Sequence, residues 1–249
     1  AGGTDLMLDL QQGNHAPVHT LVDVTAIPEM TALEIRAGDL FIGASVPHAK
    51  ITNSAIVQEH AAALAIACGL IGGPQVRNTA TLGGNVGHAL PAADGTIALV
   101  ALDAQAEVAS LDGNRRVSLE TLFSGPGKSS LDPREELLVG FYLPLKGPNQ
   151  ASTFKRIMRP QGVAIAILNN AVWLERQGEP TLLLVTRGFA DALRIGYQAR
   201  PELFALDIVL PEMLYSEVVE VDERMGARGE ILTPLDLERA RSDLTRAHE

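Results

Sequence analysis

The sequence predicts an α+β fold, and three observations carry that reading. Short apolar runs bounded by Gly, Pro or Asp recur as strand candidates, at Leu33–Arg36, Leu40–Val46, Ala106–Ser110 and Glu136–Pro144. One stretch, opened by Asn53 or Ser54 and running to Cys68, has helical spacing, with Ile56, Ala63, Leu64 and Ala67 on one face. Two glycine-rich turns, Ala1–Leu6 and the GGN of Thr81–Asn85, sit among these elements where a backbone must approach something closely.

In chain order, the glycine turn at Ala1 runs into the apolar segment Leu6–Leu10. Leu21–Ile27 reads as a short strand broken from Leu33–Arg36 by Pro28, and Pro47 ends Leu40–Val46. After the helix to Cys68 come the GPQVRNTATLGGN run and an apolar segment, Thr96–Leu102. Leu111-Asp112-Gly113-Asn114 predicts a hairpin turn between Ala106–Ser110 and Arg115–Ser118. A short helix over Ser118–Phe123 and a loop over Ser124–Lys128 precede the strands Glu136–Pro144 and Ser152–Ile157. Val163–Glu175 is apolar and fits either strand or helix. Near Glu179 the character changes: a strand at Leu182–Val185, a helical run from Thr186 to about Tyr197, a strand at Glu217–Asp222 and a turn at Gly226–Gly229.

Composition bounds the function. Of 249 residues, 46% are hydrophobic and 20% charged, enough for a real core in one large or two modest domains. A net charge of −10, spread along the chain, argues against nucleic acid or an anionic membrane as the main partner. With Cys68 as the single cysteine, the chain can hold neither a disulfide framework nor its own iron–sulfur cluster. Cys68 reads as a small buried core residue. The absence of a signal peptide or long apolar span in the sequence predicts a cytoplasmic protein. His15, His19, His48, His60 and His248 form no metal-ligand spacing, and no metal site is predicted.

Four ordered motifs, AGGTDL (from Ala1), LFIGAS (from Leu40), GPQVRNTATLGGN (from Gly73) and PAAD (ending at Asp94), resemble the FAD-binding medium subunit of molybdenum hydroxylases. That family includes xanthine and carbon monoxide dehydrogenases, and weaker similarity runs to about Glu179, which favours a strand over a helix at Val163–Glu175. The resemblance implies an FAD-binding fold of the PCMH/vanillyl-alcohol-oxidase type, here truncated at its N-terminus because a strand and a helix precede the first glycine loop in the family. Residues 182–236, with TRGF, RPELF, VVEVDER and LTPL, resemble an internal piece of the hydantoinase/oxoprolinase A family. The expected organisation is therefore an FAD-binding domain over 1–146, a truncated C-terminal flavoprotein subdomain over 147–180, and an α/β hydantoinase-like tail over 181–249.

The flavoprotein resemblance implies a site. Gly2, Gly3, Thr4, Asp5 and Leu6 would wrap the FAD diphosphate through backbone N–H groups, with Asp5 fixing the loop rather than meeting a phosphate, since two anions repel. Thr81, Gly83, Gly84 and Asn85 would line the second side through exposed amides, and Asp94 would accept a cofactor hydroxyl. Leu138 and Lys155 fall where the family places further flavin contacts. His88 reads as a loop histidine packed near the cofactor, and no residue of the chain is expected to be catalytic. The family's partners are a molybdopterin-binding large subunit and a 2Fe–2S small subunit, and its flavin passes electrons from those clusters to an external acceptor. The alternatives are a non-catalytic fusion product and a fragment of a hydantoinase-family ATP-dependent amidohydrolase. For the second, the nucleotide loop is missing, and Asp191, Asp207, Asp222 and Glu223 read as a solvated acidic face.

Overall fold

The computed structural model describes residues 1–158 and 165–176, with the backbone of the strands at 181–188 and 217–222. Five antiparallel strands form the first sheet: β1 (Leu33–Arg36), β2 (Asp39–Gly43), β3 (Gln105–Ser110), β4 (Gly113–Ser118) and β7 (Leu137–Pro144), in the order β1-β2-β7-β3-β4. The central β7 pairs Phe141 with both Ile42 and Ala106, and is buried along most of its length. A near-continuous apolar run fits a strand covered on both faces. β3 and β4 meet through the predicted hairpin, with Ser110 opposite Gly113. A 3-10 helix (Leu119–Leu122) and the small pair β5 (Phe123–Gly125) and β6 (Lys128–Ser129) come next, so the loop expected at Ser124–Lys128 is itself a tight hairpin.

Helices carry the rest of the first half: α1 (Thr4–Gln12), α2 (Pro28–Thr31), α3 (His48–Thr52), α4 (Ala55–His60), α5 (Ala62–Leu70), α6 (Pro74–Thr79), α7 (Leu82–Gly87) and α8 (Asp94–Ala101). α5 and α8 pack against one another and against a second sheet, in which β8 (Gln150–Ile157), β9 (Leu168–Arg176), β10 (Thr181–Gly188) and β11 (Glu217–Asp222) run in the order β11-β10-β9-β8. One core joins these layers, with Ile42, Leu64, Leu82, Leu99, Phe141 and Phe154 fully buried in it. The α+β class is thus the observed one.

Several elements differ from the sequence reading. Leu21–Ile27 forms no strand: most of it is exposed, Val24 and Ile27 rest half-buried against the core, and among the described residues no strand pairs with it. The helix expected from Ser54 to Cys68 is two helices, because Ala61 leaves helical geometry at φ −138° and ψ 53°. The restart lets the Ala63 N–H donate to Ser152 Oγ on β8 at 3.1 Å. β2 ends at Gly43, short of the expected Val46. Thr96–Leu102 resolves into α8, opened by Asp94. Of the ambiguous stretch Val163–Glu175, the part from Leu168 onward belongs to the strand β9. β10 continues through Thr186–Gly188, where the helical run was expected to begin; the remainder of that run and the turn at Gly226–Gly229 lie outside the described residues.

Candidate functional site

The segment after β2 positions the central glycine motif. His48 N–H donates to the Ala80 carbonyl, Leu82 N–H to Val46 and Gly83 N–H to Ala44, so Ala44–His48 and Ala80–Gly83 lie side by side. Gly83 is required by this contact: a Cβ there would stand 2.5 Å from Ala44 Cβ. Thr81 is the N-cap of α7, and its hydroxyl accepts from the Gly84 N–H at 3.2 Å. The GGN is therefore the first turn of a helix. Its amides are consumed within the protein, which corrects the expectation that Gly83, Gly84 and Asn85 present free N–H groups. The Thr81 N–H has no partner among the described residues.

The N-terminal motif comes to the same place. Gly2 and Gly3 take φ of +68° and +66°, the left-handed region that glycine enters without strain. A Cβ on Gly2 would lie 3.1 Å from both Thr79 O and Thr81 N, and one on Gly84 would face Ala1 O at 3.7 Å. Two motifs from distant parts of the sequence thus pack backbone on backbone. Gly3 then caps α1, whose first amides, those of Thr4, Asp5 and Leu6, find no acceptor among the described residues. Such a helix start carries partial positive charge and open donors. Asp5 does not close them: its carboxylate reaches across to His88 Nδ1, at the C-cap of α7, at 2.9 Å. That bond ties the two glycine helices together.

Asn85 links α7 to α8. Its Oδ1 accepts from the Thr96 N–H at 3.0 Å, and a Cβ on Gly95 would meet the same oxygen at 2.9 Å. Asp94, at the start of α8, is 3% exposed. Its Oδ2 accepts from Arg156 Nη1 on β8 and its Oδ1 from Asn169 Nδ2 on β9 at 2.8 Å. Burial raises the Asp94 pKa, and the Asn169 and Arg156 contacts oppose that rise. Arg156 Nε and Asn169 Oδ1 are themselves buried with no partner.

The two outlying predicted positions lie on β7 and β8. Leu138 is a buried core residue on β7, beside Val139, whose carbonyl accepts from the Ala44 N–H. Lys155 points outward: alternation along β8 buries Phe154 and turns Arg156, not Lys155, toward Asp94. Arg156 and Asn169 were missed in the sequence, although the period-two pattern around Phe154 carries the signal for Arg156. Deeper in, His48 lies 3.4 Å from Cys68 Sγ. Burial, then the Arg77 charge, lowers the His48 pKa to about 4, and burial pushes the Cys68 thiol up, so both are neutral core groups.

Residues 1–146 match the model of the FAD binding domain in molybdopterin dehydrogenase. The chain belongs to that family. The xanthine dehydrogenase FAD-binding subunit of Escherichia coli O157:H7 is 35% identical over 162 residues, covering 64% of this chain and 55% of that protein. A carbon monoxide dehydrogenase from Hydrogenophaga pseudoflava superposes with a TM-score of 0.69 at 26% identity, over 75% of this chain and 64% of that one. The chain thus spans little more than half the length of the curated flavoprotein relative. Residues 165–249 match the N-terminal region of hydantoinase/oxoprolinase, and 5-oxoprolinase 1 of Arabidopsis thaliana is 54% identical over 59 residues, which are 24% of this chain and 5% of that protein. The second match begins ahead of β9, upstream of the boundary at residue 181 expected from sequence.

The geometry fits the FAD of this family. Left-handed glycines and open helix-start amides suit a diphosphate. The buried orphan donor and acceptor beside Asp94 suit a hydroxyl, which can both accept and donate. No helix among the described residues is long and apolar enough to cross a membrane.

Proposed function

We propose that this chain is the FAD-binding, electron-transferring module of a molybdenum-containing hydroxylase or dehydrogenase, working with a molybdopterin-binding large subunit and a 2Fe–2S small subunit. The observation that carries the reading is the backbone contact of Gly2 with Thr79–Thr81, which sets the open amides of α1 beside the α7 cap. Thr4, Asp5 and Leu6 N–H groups, reached over Gly2 and Gly3, would hold the diphosphate; Thr81, Gly83, Gly84 and Asn85 would wall its second side. Asp94 would accept a sugar-chain hydroxyl. When bound, FAD supplies one- and two-electron redox chemistry, and the chain's own part is to bind it, orient it and exclude water. Its proposed place is between partner iron–sulfur clusters and an external acceptor, in the cytoplasm.

The organisation proposed is an FAD-binding domain over 1–146, a C-terminal flavoprotein subdomain over 147–180 and a hydantoinase-like segment from 181. A second reading is a non-catalytic joining of two partial proteins. It is favoured by one observation, that the FAD-domain match ends at residue 146 and a match to a different family begins at residue 165 of the same chain. Titrating the purified chain with FAD by flavin fluorescence decides between them. Saturable binding of FAD, with weaker binding of FMN, supports the flavoprotein reading; no binding sinks it.

A further inference from the structure

The buried group Asp94–Arg156–Asn169 joins three elements that the FAD-domain match does not unite. Asp94 lies inside residues 1–146, whereas Arg156 and Asn169 lie on the second sheet, outside them. The Arg156 and Asp94 side chains are 7% and 3% exposed, and Asn169 is fully buried. A buried carboxylate keeps its charge only when a cation and hydrogen bonds replace the water it has lost. Here β8 supplies the cation and β9 the neutral donor, one for each carboxylate oxygen. Close by on the same helix, Thr96 is bonded to Asn85, so the carboxylate is anchored to the second glycine motif by the start of α8. The group is also incomplete. Arg156 Nε and Asn169 Oδ1 are a donor and an acceptor without partners, and buried polar groups rarely stay so.

We propose that Arg156 and Asn169 are positioning residues of the cofactor site: they hold the Asp94 carboxylate ionised and oriented to accept a hydroxyl of the FAD sugar chain. This rests on the role given to Asp94 above. The second sheet is then part of the flavin site, and the first 146 residues by themselves are not a complete one. Among the described residues, the titratable surroundings of Asp94 are few. β8 presents Arg156, and α5 presents the Cys68 thiol, held neutral by burial. α7 presents neutral Asn85, its His88 being turned to Asp5, β9 presents neutral Asn169, and the 3-10 helix carries Glu120.

The test is the pH profile of FAD affinity in the full chain, measured by flavin fluorescence from about pH 5 to about pH 9. A protonated Asp94 is a poorer acceptor, so affinity falls on the acid side of a midpoint set by Asp94. Arg156→Met removes the cation, so Asp94 protonates at higher pH; the midpoint moves up, and affinity at the acid end drops about tenfold or more, the scale of one lost charge-assisted hydrogen bond. Arg156→Lys restores the midpoint. Asp94→Asn abolishes the pH dependence. Asn169→Ala keeps the ion pair and moves the midpoint up by a smaller step, which keeps the test open if Arg156→Met does not fold. A wild-type midpoint retained in Arg156→Met, or in Asn169→Ala where the former is unfolded, overturns the proposal while leaving FAD binding intact. Failure of the wild-type chain to bind FAD at any pH overturns the cofactor reading, and this inference with it.

Discussion

Gly2 sits against Thr81 so closely that a Cβ on Gly2 would stand 3.1 Å from the Thr81 nitrogen, while its own φ is +68°. The backbone conformation calls for glycine, and the contact is tight enough that a Cβ would push the Thr79–Thr81 backbone away. Gly2→Ala therefore incurs about 1–2 kcal/mol from the left-handed conformation, besides displacing α1 from the α7 cap. Because α1 has no buried residue, the expected loss falls on FAD affinity more than on the melting temperature. Parallel thermal melts and FAD titrations of the variant check this; a large drop in melting temperature with unchanged affinity contradicts it.

Gly83 is held to glycine by space alone. Its missing Cβ would fall 2.5 Å from Ala44 Cβ and 2.7 Å from Ala44 O, and Ala44 is a buried core residue. Gly83→Ala should cost about 1–3 kcal/mol of stability, the usual range for overpacking. Urea unfolding measures it directly. A variant as stable as wild type would show that Ala44 and Gly83 are not packed as described.

His48 predicts an acid-dependent loss of stability. Its folded pKa is lowered to about 4 from 6.5, by burial first and then by Arg77. Between those values the unfolded chain binds the proton and the folded chain does not, so stability is full above about pH 6.5 and declines as pH falls toward 4. At about pH 5 the loss attributable to His48 is on the order of 2 kcal/mol. Comparing urea midpoints of wild type and His48→Gln at about pH 7.5 and about pH 5 isolates it, since the variant should lose less. Equal losses in both would remove His48 as the cause.

The hydantoinase-like segment contributes strands to the second sheet, β10 pairing Leu184 with Leu174 of β9, and β11 pairing Val219 with Leu184. Deleting residues 182–249 strips both and leaves β9 as an open edge, which recruits foreign strands. Lower solubility and a lower melting temperature are expected, with FAD occupancy largely kept, because β8 and β9 retain Arg156 and Asn169. Sedimentation and flavin absorbance of the truncated chain test the two halves of this expectation separately. Complete loss of FAD would assign the segment a direct part in the site.

The proposed division of labour makes the isolated chain inactive toward substrate. It should neither oxidise purines, aldehydes or carbon monoxide nor hydrolyse hydantoin or 5-oxoproline with ATP. Anaerobic flavin spectra after substrate addition, and phosphate release with ATP, are the measurements. Substrate-dependent bleaching of the flavin or robust turnover of either amide would refute the respective reading.

The α+β class, the strands of the first sheet, the hairpin at Gly113 and the two glycine motifs were legible in the chain, because each rests on local chemistry: alternation, turn residues or the lack of a Cβ. The Thr81 cap was legible only as a turn, since caps and turns use the same residue types and differ only in whether the chain continues as a helix. What accepts the Gly83 amide, which residue of the Lys155–Arg156 pair faces inward, and where Asn169 lies depend on strands brought from far along the sequence. The sequence by itself determined that two glycine loops and an acid were available for a dinucleotide. Only the tertiary structure decided that the open amides belong to α1 and not α7, and that the acid is held by the second sheet. The physical reason is that hydrogen-bond satisfaction and the burial of charge are settled by whichever partner packs closest, and local residue patterns do not specify that partner.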